Sequence, residues 1–378
     1  MKFRCERDVL VEALGAAGRA VSGRGGMLPV LTGVRAELLG DALTLTGSDL
    51  DLTITVGAGV SGQGDGATVL PAKLASDVVR ALPPGAVTVE VGADADRPDQ
   101  ATITAGRSEF ALRVTPADEY PKLTLPSGDA VQVPAQELAR ALRQVTPAAS
   151  TDDNRPIITG VLLSAEGGGL RLVATDSYRL AVRDIAGLDV LAEGAQVLVP
   201  SRALREVERL LGTSEEVTLR LGERDATFEV TVGEGSGGIT AIRIATRLIE
   251  GEFPNYRGLI PSSYPNRLVV GREPLLDAVR RVRLLARDAT PVRLVLQPDG
   301  LDLVAVTQDV GEAHESLDAK YEGIELTVAF NPEYLAQGVE VTRGDEVVLE
   351  TIDALKPAVL RGTESPDFLY LLMPVRVT

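Results

Sequence analysis

Val131-Gln-Val-Pro-Ala-Gln-Glu-Leu-Ala-Arg-Ala-Leu142 reads as a short strand running into an amphipathic helix, and the same pattern stands twice more in the chain. The other copies are Phe3-Arg-Cys-Glu-Arg-Asp-Val-Leu-Val-Glu-Ala-Leu14 and Leu268-Val-Val-Gly-Arg-Glu-Pro-Leu-Leu-Asp-Ala-Val279. Apolar residues fall at helical spacing in each: Leu138 and Leu142, Leu10 and Leu14, Leu275 and Val279. A repeat of this kind outranks any single motif, because it fixes the architecture into which motifs must fit.

Outward from these segments, the rest of the unit recurs in the same order. Pro29-Val-Leu-Thr-Gly-Val34 matches Pro156-Ile-Ile-Thr-Gly-Val161, and Pro291-Val-Arg-Leu294 is the most diverged copy. An alternating strand follows in each: Ala42 to Gly47, Leu170 to Thr175, Leu301 to Thr307. A strand then enters a second helix at Val69-Leu-Pro-Ala-Lys-Leu74, Leu198-Val-Pro-Ser-Arg-Ala-Leu204 and Ala329-Phe-Asn-Pro-Glu-Tyr-Leu335. Two closing strands are expected to finish each copy, the first two ending on the corners Glu119-Tyr120-Pro121 and Glu252-Phe253-Pro254. Leu125-Pro-Ser-Gly128 and Pro261-Ser-Ser-Tyr-Pro265 read as linkers. The chain is therefore expected to form three domains, 1–126, 127–262 and 263–378. Each should hold two helices and two small antiparallel sheets, an α+β class.

Composition agrees with several modest cores. A chain of 378 residues is too long for one ordinary core, and 44% hydrophobic residues supply ample interior. Aromatics make up 3% and tryptophan is absent, so Leu, Val, Ile and Ala must do the packing. The single cysteine, Cys5, excludes an internal disulfide and fits a reducing compartment. MKFRCERDVL carries no apolar run of signal-peptide length, and no later segment could span a bilayer, so a cytoplasmic, non-membrane protein is expected.

The net charge of −16 argues against a nucleic-acid partner only if charge is spread evenly. It is not. Cations gather on the expected helices: Arg7, Arg19 and Arg24, Lys73 and Arg80, Arg140 and Arg143, Arg202, Arg205 and Arg209, then Arg280, Arg281, Arg283 and Arg287. Only the last helix, from Pro332 to Gly338, has none. Acids sit in strands and turns, as at Asp49, Asp51, Asp94, Asp96, Asp99, Glu215 and Glu216. Helices sharing one face would make a positive surface suited to phosphates, without reading base sequence.

Catalysis finds no support. The lone His314, in Glu312-Ala-His-Glu315, has no evident partner, and no Walker A, nucleotide-binding glycine, nucleophile-elbow or C-x-x-C motif occurs. Gly233-Glu-Gly-Ser-Gly-Gly238 links two strands and precedes no helix, so it reads as a turn. Asp49-Leu-Asp51 and Asp152-Asp153 are ordinary acidic turns, and neither a metal nor a cofactor is expected.

On six segments the chain resembles the bacterial β sliding clamp family, with an actinobacterial style. These are Leu28-Pro-Val-Leu31, Leu45-Thr-Gly-Ser-Asp-Leu50, Ala174-Thr-Asp-Ser-Tyr-Arg-Leu-Ala181, Gly251-Glu-Phe-Pro-Asn-Tyr-Arg257, Phe330-Asn-Pro-Glu-Tyr334 and Tyr370-Leu-Leu-Met-Pro-Val-Arg376. The resemblance implies the DNA-clamp fold, with two three-domain chains joined head to tail as a ring around duplex DNA. It implies a non-catalytic processivity role, with the DNA polymerase III catalytic subunit, the clamp loader and other DNA polymerases and repair proteins as partners. Those partners would dock peptides in a pocket comprising Ile158, Thr175, Ser177, Tyr178, Arg179, Leu180, Pro254, Leu259, Asn331, Tyr334, Leu371, Leu372, Met373, Pro374, Val375 and Arg376. Aliphatic side chains and a flexible methionine suit one groove that accepts several peptides. Tyr178 stands where the family varies, and Gly258 replaces a side chain that usually lines the pocket. Arg24 and Arg155 match DNA-proximal positions loosely. A specialised or inhibitor-resistant clamp paralogue would share all of this, whereas a repeat-built scaffold without a DNA role would be a monomer with no DNA affinity.

Overall fold

The computed structural model describes residues 1–22, 28–92, 98–123, 128–212, 214–232, 238–286 and 290–376. Arg24, Asp94, Asp96, Arg287, most of the 125–128 linker and nearly all of the 233–238 glycine run lie outside the described residues. Two compact units are formed, Met1–Ala139 with Glu206–Leu248, and Arg140–Arg205 with Ile249–Thr378.

The three copies are recognisable element by element. Their first helices are α1 (Arg7–Gly18), α3 (Ala135–Val145) and α5 (Arg272–Arg283), each preceded by a short strand: Lys2–Glu6, Ala130–Pro134 and Asn266–Gly271. Their second helices are α2 (Ala72–Ala81), α4 (Ser201–Leu210) and α6 (Pro332–Val341). Local chemistry sets the ends. Leu82 closes α2 just before Pro83 and Pro84, where a helix cannot continue. Asn331 caps α6, its Oδ1 accepting from the Glu333 and Tyr334 N–H groups at 2.9 and 3.3 Å, with Pro332 in the first helical position. α1 buries Val9, Leu10, Ala13 and Leu14, and α5 buries Leu275, Leu276, Val279 and Val282, the stripes expected from their spacing.

The sheets depart from expectation in two respects. Each copy closes with three strands, not two: Ala86–Val91, Gln100–Ala105 and Ser108–Arg113 in the first, Glu216–Leu221, Asp225–Thr231 and Ile239–Arg247 in the second. In the third they are Glu346–Thr351, Ala358–Gly362 and Ser365–Leu372. Nor do sheets stay within copies. In one unit Leu52–Gly59 of the first copy pairs antiparallel with Ile239–Arg247 of the second, Ile244 opposite Ile54, creating a nine-stranded sheet. In the other unit Arg179–Ala186 of the second copy pairs with Ser365–Leu372 of the third, Ala181 opposite Tyr370, creating a second nine-stranded sheet. The physical reason is common to both: a strand left at a sheet edge exposes a row of backbone donors and acceptors, and joining two edges satisfies both.

Aliphatic residues dominate the interior, but the scarce aromatics are concentrated there. Phe3, Phe228, Phe330, Phe368 and Tyr370 are fully buried, giving every copy at least one ring at its centre. Among the described residues no helix is long and apolar enough to cross a membrane.

Candidate functional site

The segment Thr175-Asp176-Ser177-Tyr178-Arg179 makes a tight turn between the Gly169–Thr175 and Arg179–Ala186 strands. One Asp176 oxygen accepts the N–H groups of Tyr178 at 2.9 Å and Arg179 at 3.0 Å. Thr175 Oγ1 donates to the Arg179 carbonyl at 2.7 Å, while Ser177 takes a left-handed φ of 81°. This geometry turns the Tyr178 ring outward, 60% exposed, and sends the Arg179 side chain inward, 7% exposed.

Buried Arg179 joins three further elements. Its Nε donates to Asp176 Oδ2 at 3.0 Å and its Nη1 to the Tyr370 hydroxyl at 3.1 Å. Further bonds reach the Gln337 side-chain oxygen on α6 and the carbonyl of Pro147. The guanidinium also lies 4.2 Å from the centre of the Tyr334 ring, close enough for a cation–π contact. Burial opposes the charge, yet Tyr370 and Asp176 outweigh it and hold the Arg179 pKa above its ordinary value. Burial likewise pushes the Tyr370 hydroxyl up to about 12, keeping it a neutral donor, and it donates to the Tyr334 carbonyl at 3.1 Å. Gly338 makes this possible: a Cβ there would meet Tyr370 ring carbons at 2.5 Å. Only glycine lets the ring lie against α6 with its hydroxyl in reach of Arg179.

In front of this cluster lies a groove of about 700 Å³. Of the residues expected in a pocket, Tyr178, Asn331, Tyr334, Met373, Pro374 and Val375 line it. The terminal segment is fixed by main-chain bonds, Met373 N–H to the Tyr178 carbonyl at 2.9 Å and Val375 N–H to the Ala329 carbonyl at 2.8 Å. Thr175, Ser177 and Arg179 build the turn behind Tyr178, whereas Ile158, Leu180, Leu371 and Leu372 are buried, Leu180 and Leu371 within one aliphatic cluster. Pro254, Leu259 and Arg376 are exposed. Sequence reading did not place Arg283, Ala286, Thr290, Pro291, Pro332 and Glu333 in this groove, yet all line it. They come from the end of α5, the chain just beyond it and the start of α6, segments whose proximity no local pattern signals.

The helix-borne cations differ in exposure, and pairing with carboxylates is not confined to one helix: Arg80 lies 3.9 Å from Asp77. Lys73, Arg80, Arg143, Arg202 and Arg209 are exposed, and Arg140 and Arg205 are half-buried. Those of α5 are tied to carboxylates: Arg280 to Asp277 at 3.8 Å and Glu340 at 3.1 Å, Arg281 to Glu315 at 2.7 Å, and Arg283 to Glu333. Arg209 pairs with Glu206 at 2.8 Å, and Glu206 also takes Arg19 at 2.6 Å. Arg7 donates to the Leu82 carbonyl at 2.9 Å and so ties α1 to the end of α2. Arg155 stands on no helix; it pairs with Asp152 at 2.8 Å and donates to Ser177 Oγ at 3.2 Å, beside the groove turn. Arg24 lies outside the described residues.

Family profiles of the DNA polymerase III β subunit match the chain from end to end: its N-terminal domain over residues 1–124, its central domain over 132–255 and its C-terminal domain over 257–376. The chain belongs to the DNA polymerase III β subunit family. The β sliding clamp of Streptomyces coelicolor is 34% identical over 385 residues, and that of Bacillus subtilis 31% over 392, each match covering 100% of both chains. Solved clamp structures agree throughout. The sliding clamp from Bacillus subtilis superposes with a TM-score of 0.87 at 30% identity, covering 100% of both chains. The clamp of Pseudomonas aeruginosa bound to griselimycin gives 0.87 at 28% identity, again over 100% of both.

Seen as a sliding clamp of three related domains, the chain repeats its groove turn. Leu50 and Asp309 share the left-handed conformation of Ser177, with φ values of 80° and 64°. In the first copy Asp49 stands in for Asp176, its oxygen accepting the N–H groups of Asp51 at 3.1 Å and Leu52 at 2.8 Å. The acidic Asp49-Leu-Asp51 segment is thus a backbone turn of the clamp repeat. What distinguishes the second copy is the pair Tyr178 and Arg179, one lining the groove and the other anchoring it.

Proposed function

We propose that this β sliding clamp closes head to tail with a second copy of itself around duplex DNA, and tethers replication proteins through the groove beside Tyr178 and Met373. The observation that carries this reading is the order of strands across the copies. Leu52–Gly59 is joined to Ile239–Arg247, and Arg179–Ala186 to Ser365–Leu372. By the same repeat positions the third joint would join Gly311–Leu317 to Ser108–Arg113, and each of these stands at the edge of its own sheet. Residues Glu109, Phe110 and Ala111 on the second edge are exposed. Two chains pairing these edges would make the same joint at every boundary and leave no such edge open, which is the closure condition for a head-to-tail ring.

Within such a ring Lys73, Arg80, Arg140, Arg143, Arg202, Arg205 and Arg209 supply the phosphate contacts. Arg280, Arg281 and Arg283 of α5 add to them, each also paired with a carboxylate. Sliding exchanges equivalent phosphate contacts, whereas leaving the duplex requires opening a joint. Processivity then follows from topology, and the cations add a salt-sensitive attraction. The clamp performs no chemistry itself, and it works in the cytoplasm. Its domains take residues 1–126, 127–262 and 263–378, and its partners are the polymerase III catalytic subunit, the clamp loader and other polymerases and repair proteins.

Sedimentation equilibrium tests closure: two chains per particle at micromolar concentration are expected, and a monomer would contradict the ring. Binding of a fluorescent polymerase-derived peptide tests the groove. Met373 lines it and is 36% exposed, so its side chain is available to an incoming anchor. Met373→Ala is expected to weaken that peptide by about 1–3 kcal/mol. Unchanged affinity would remove Met373 from the binding surface.

A further inference from the structure

We propose that Arg283 is the specificity-determining residue of the groove, selecting peptides that carry an acidic side chain beside their apolar anchors. The inference rests on the reading of this groove as a peptide site. Arg283 is the last residue of α5 and Glu333 lies in the first turn of α6, so their ion pair forms part of the groove wall. The pair is open to solvent, with 47% of the Arg283 and 40% of the Glu333 side chain exposed. Pairs so exposed are weak and easily exchanged.

The two partners are not equally dependent on each other. Glu333 has other support: its Oε1 accepts the Gln337 side-chain N–H at 2.7 Å, and its position at the start of α6 places a negative charge at the positive end of the helix. Gln337 is itself held by Arg179 through its other side-chain atom. Glu333 is therefore anchored in the wall with or without Arg283. Arg283 meets Glu333 through Nη2, and a guanidinium offers a planar edge able to bind a carboxylate with two parallel bonds. A peptide carboxylate entering between Tyr334 and the α5 end would take Arg283 in place of Glu333. A peptide lysine at that place would meet Arg283 as a like charge, since Glu333 is already engaged.

The test uses the full-length clamp and fluorescently labelled peptides derived from a polymerase partner, with each residue between the apolar anchors replaced in turn by Asp, Asn or Lys. Anisotropy titrations at low salt are expected to show, at one position, about tenfold tighter binding of Asp than of Asn. In Arg283→Gln that preference should fall below about twofold, as expected once a charge-assisted bond is lost. A thermal melt matching that of wild type shows that the variant is folded. Equal weakening of both peptides would overturn the proposal, as would an Asp preference that survives in the variant. If the wild-type clamp binds none of the peptides, the groove reading itself fails; if it binds all of them without regard to charge, only the role of Arg283 fails.

Discussion

Phe110→Asp is expected to convert the two-chain particle into single chains at micromolar concentration. Phe110 sits on the Ser108–Arg113 edge strand and is 40% exposed, so part of its ring is open to a second chain. In the proposed joint its ring would be covered by the Gly311–Leu317 strand of a second copy. Replacing it with aspartate puts a carboxylate into that joint, facing an edge that already bears Glu312 and Glu315. Burying a charge without a partner costs several kcal/mol, enough to raise the dimer dissociation constant by roughly a thousandfold or more. Sedimentation velocity reads the change, and a thermal melt at low protein concentration should show the single chain still folded. A dimer of undiminished affinity would mean that the two chains meet elsewhere.

Arg179→Leu should produce the largest loss of stability of any single change near the groove. It removes a buried cation and leaves the carboxylate of Asp176, 8% exposed, without its ion-pair partner. The Gln337 oxygen and the Pro147 carbonyl lose a donor at the same time. Breaking one side of a buried pair typically costs about 3–5 kcal/mol, which in units of this size lowers Tm by roughly 10 °C. Peptide binding should weaken as well, because Tyr334 lies against this guanidinium and Tyr178 stands on the turn of Asp176, its ion-pair partner. Arg179→Lys keeps the charge but not the planar set of donors, so it should fall between wild type and Arg179→Leu. A melting temperature for Arg179→Leu within about 2 °C of wild type, under 1 kcal/mol, would show that the cluster does not hold the groove together.

Much of this fold could be read from the sequence because the repeat signals are local. The strand-to-helix starts at Lys2–Glu6, Ala130–Pro134 and Asn266–Gly271, and both helices of every copy, rest on apolar spacing and on caps such as Asn331. The merged sheets were not legible. Alternation says that Leu52–Gly59 and Arg179–Ala186 are strands, but not which strand lies beside them, and both found neighbours in another copy. The third closing strand was missed in the first copy because Ser108-Glu-Phe-Ala-Leu-Arg113 buries only Leu112 fully and so shows little alternation.

The groove divides in the same way. Tyr178, Asn331, Tyr334 and the Met373–Val375 segment could be located by resemblance, since they lie in contiguous motifs. The contacts that organise them could not. Arg179 meets Pro147, Gln337 and Tyr370 across 32, 158 and 191 positions of sequence. Arg283 and Glu333 are 50 positions apart by number, and only the packing of α5 against α6 brings them together. A count of arginines likewise could not show that Arg280, Arg281 and Arg283 are matched by Glu340, Glu315 and Glu333.

The central claim is that the clamp stays on DNA by encircling it. The direct measurement is retention on nicked circular DNA, after loading by a cognate clamp loader with ATP, before and after the circle is cut. Stable retention on the circle followed by rapid loss from the new ends is the expected result. Equal retention on circle and linear form would show that the protein grips DNA rather than surrounds it, and would contradict the ring.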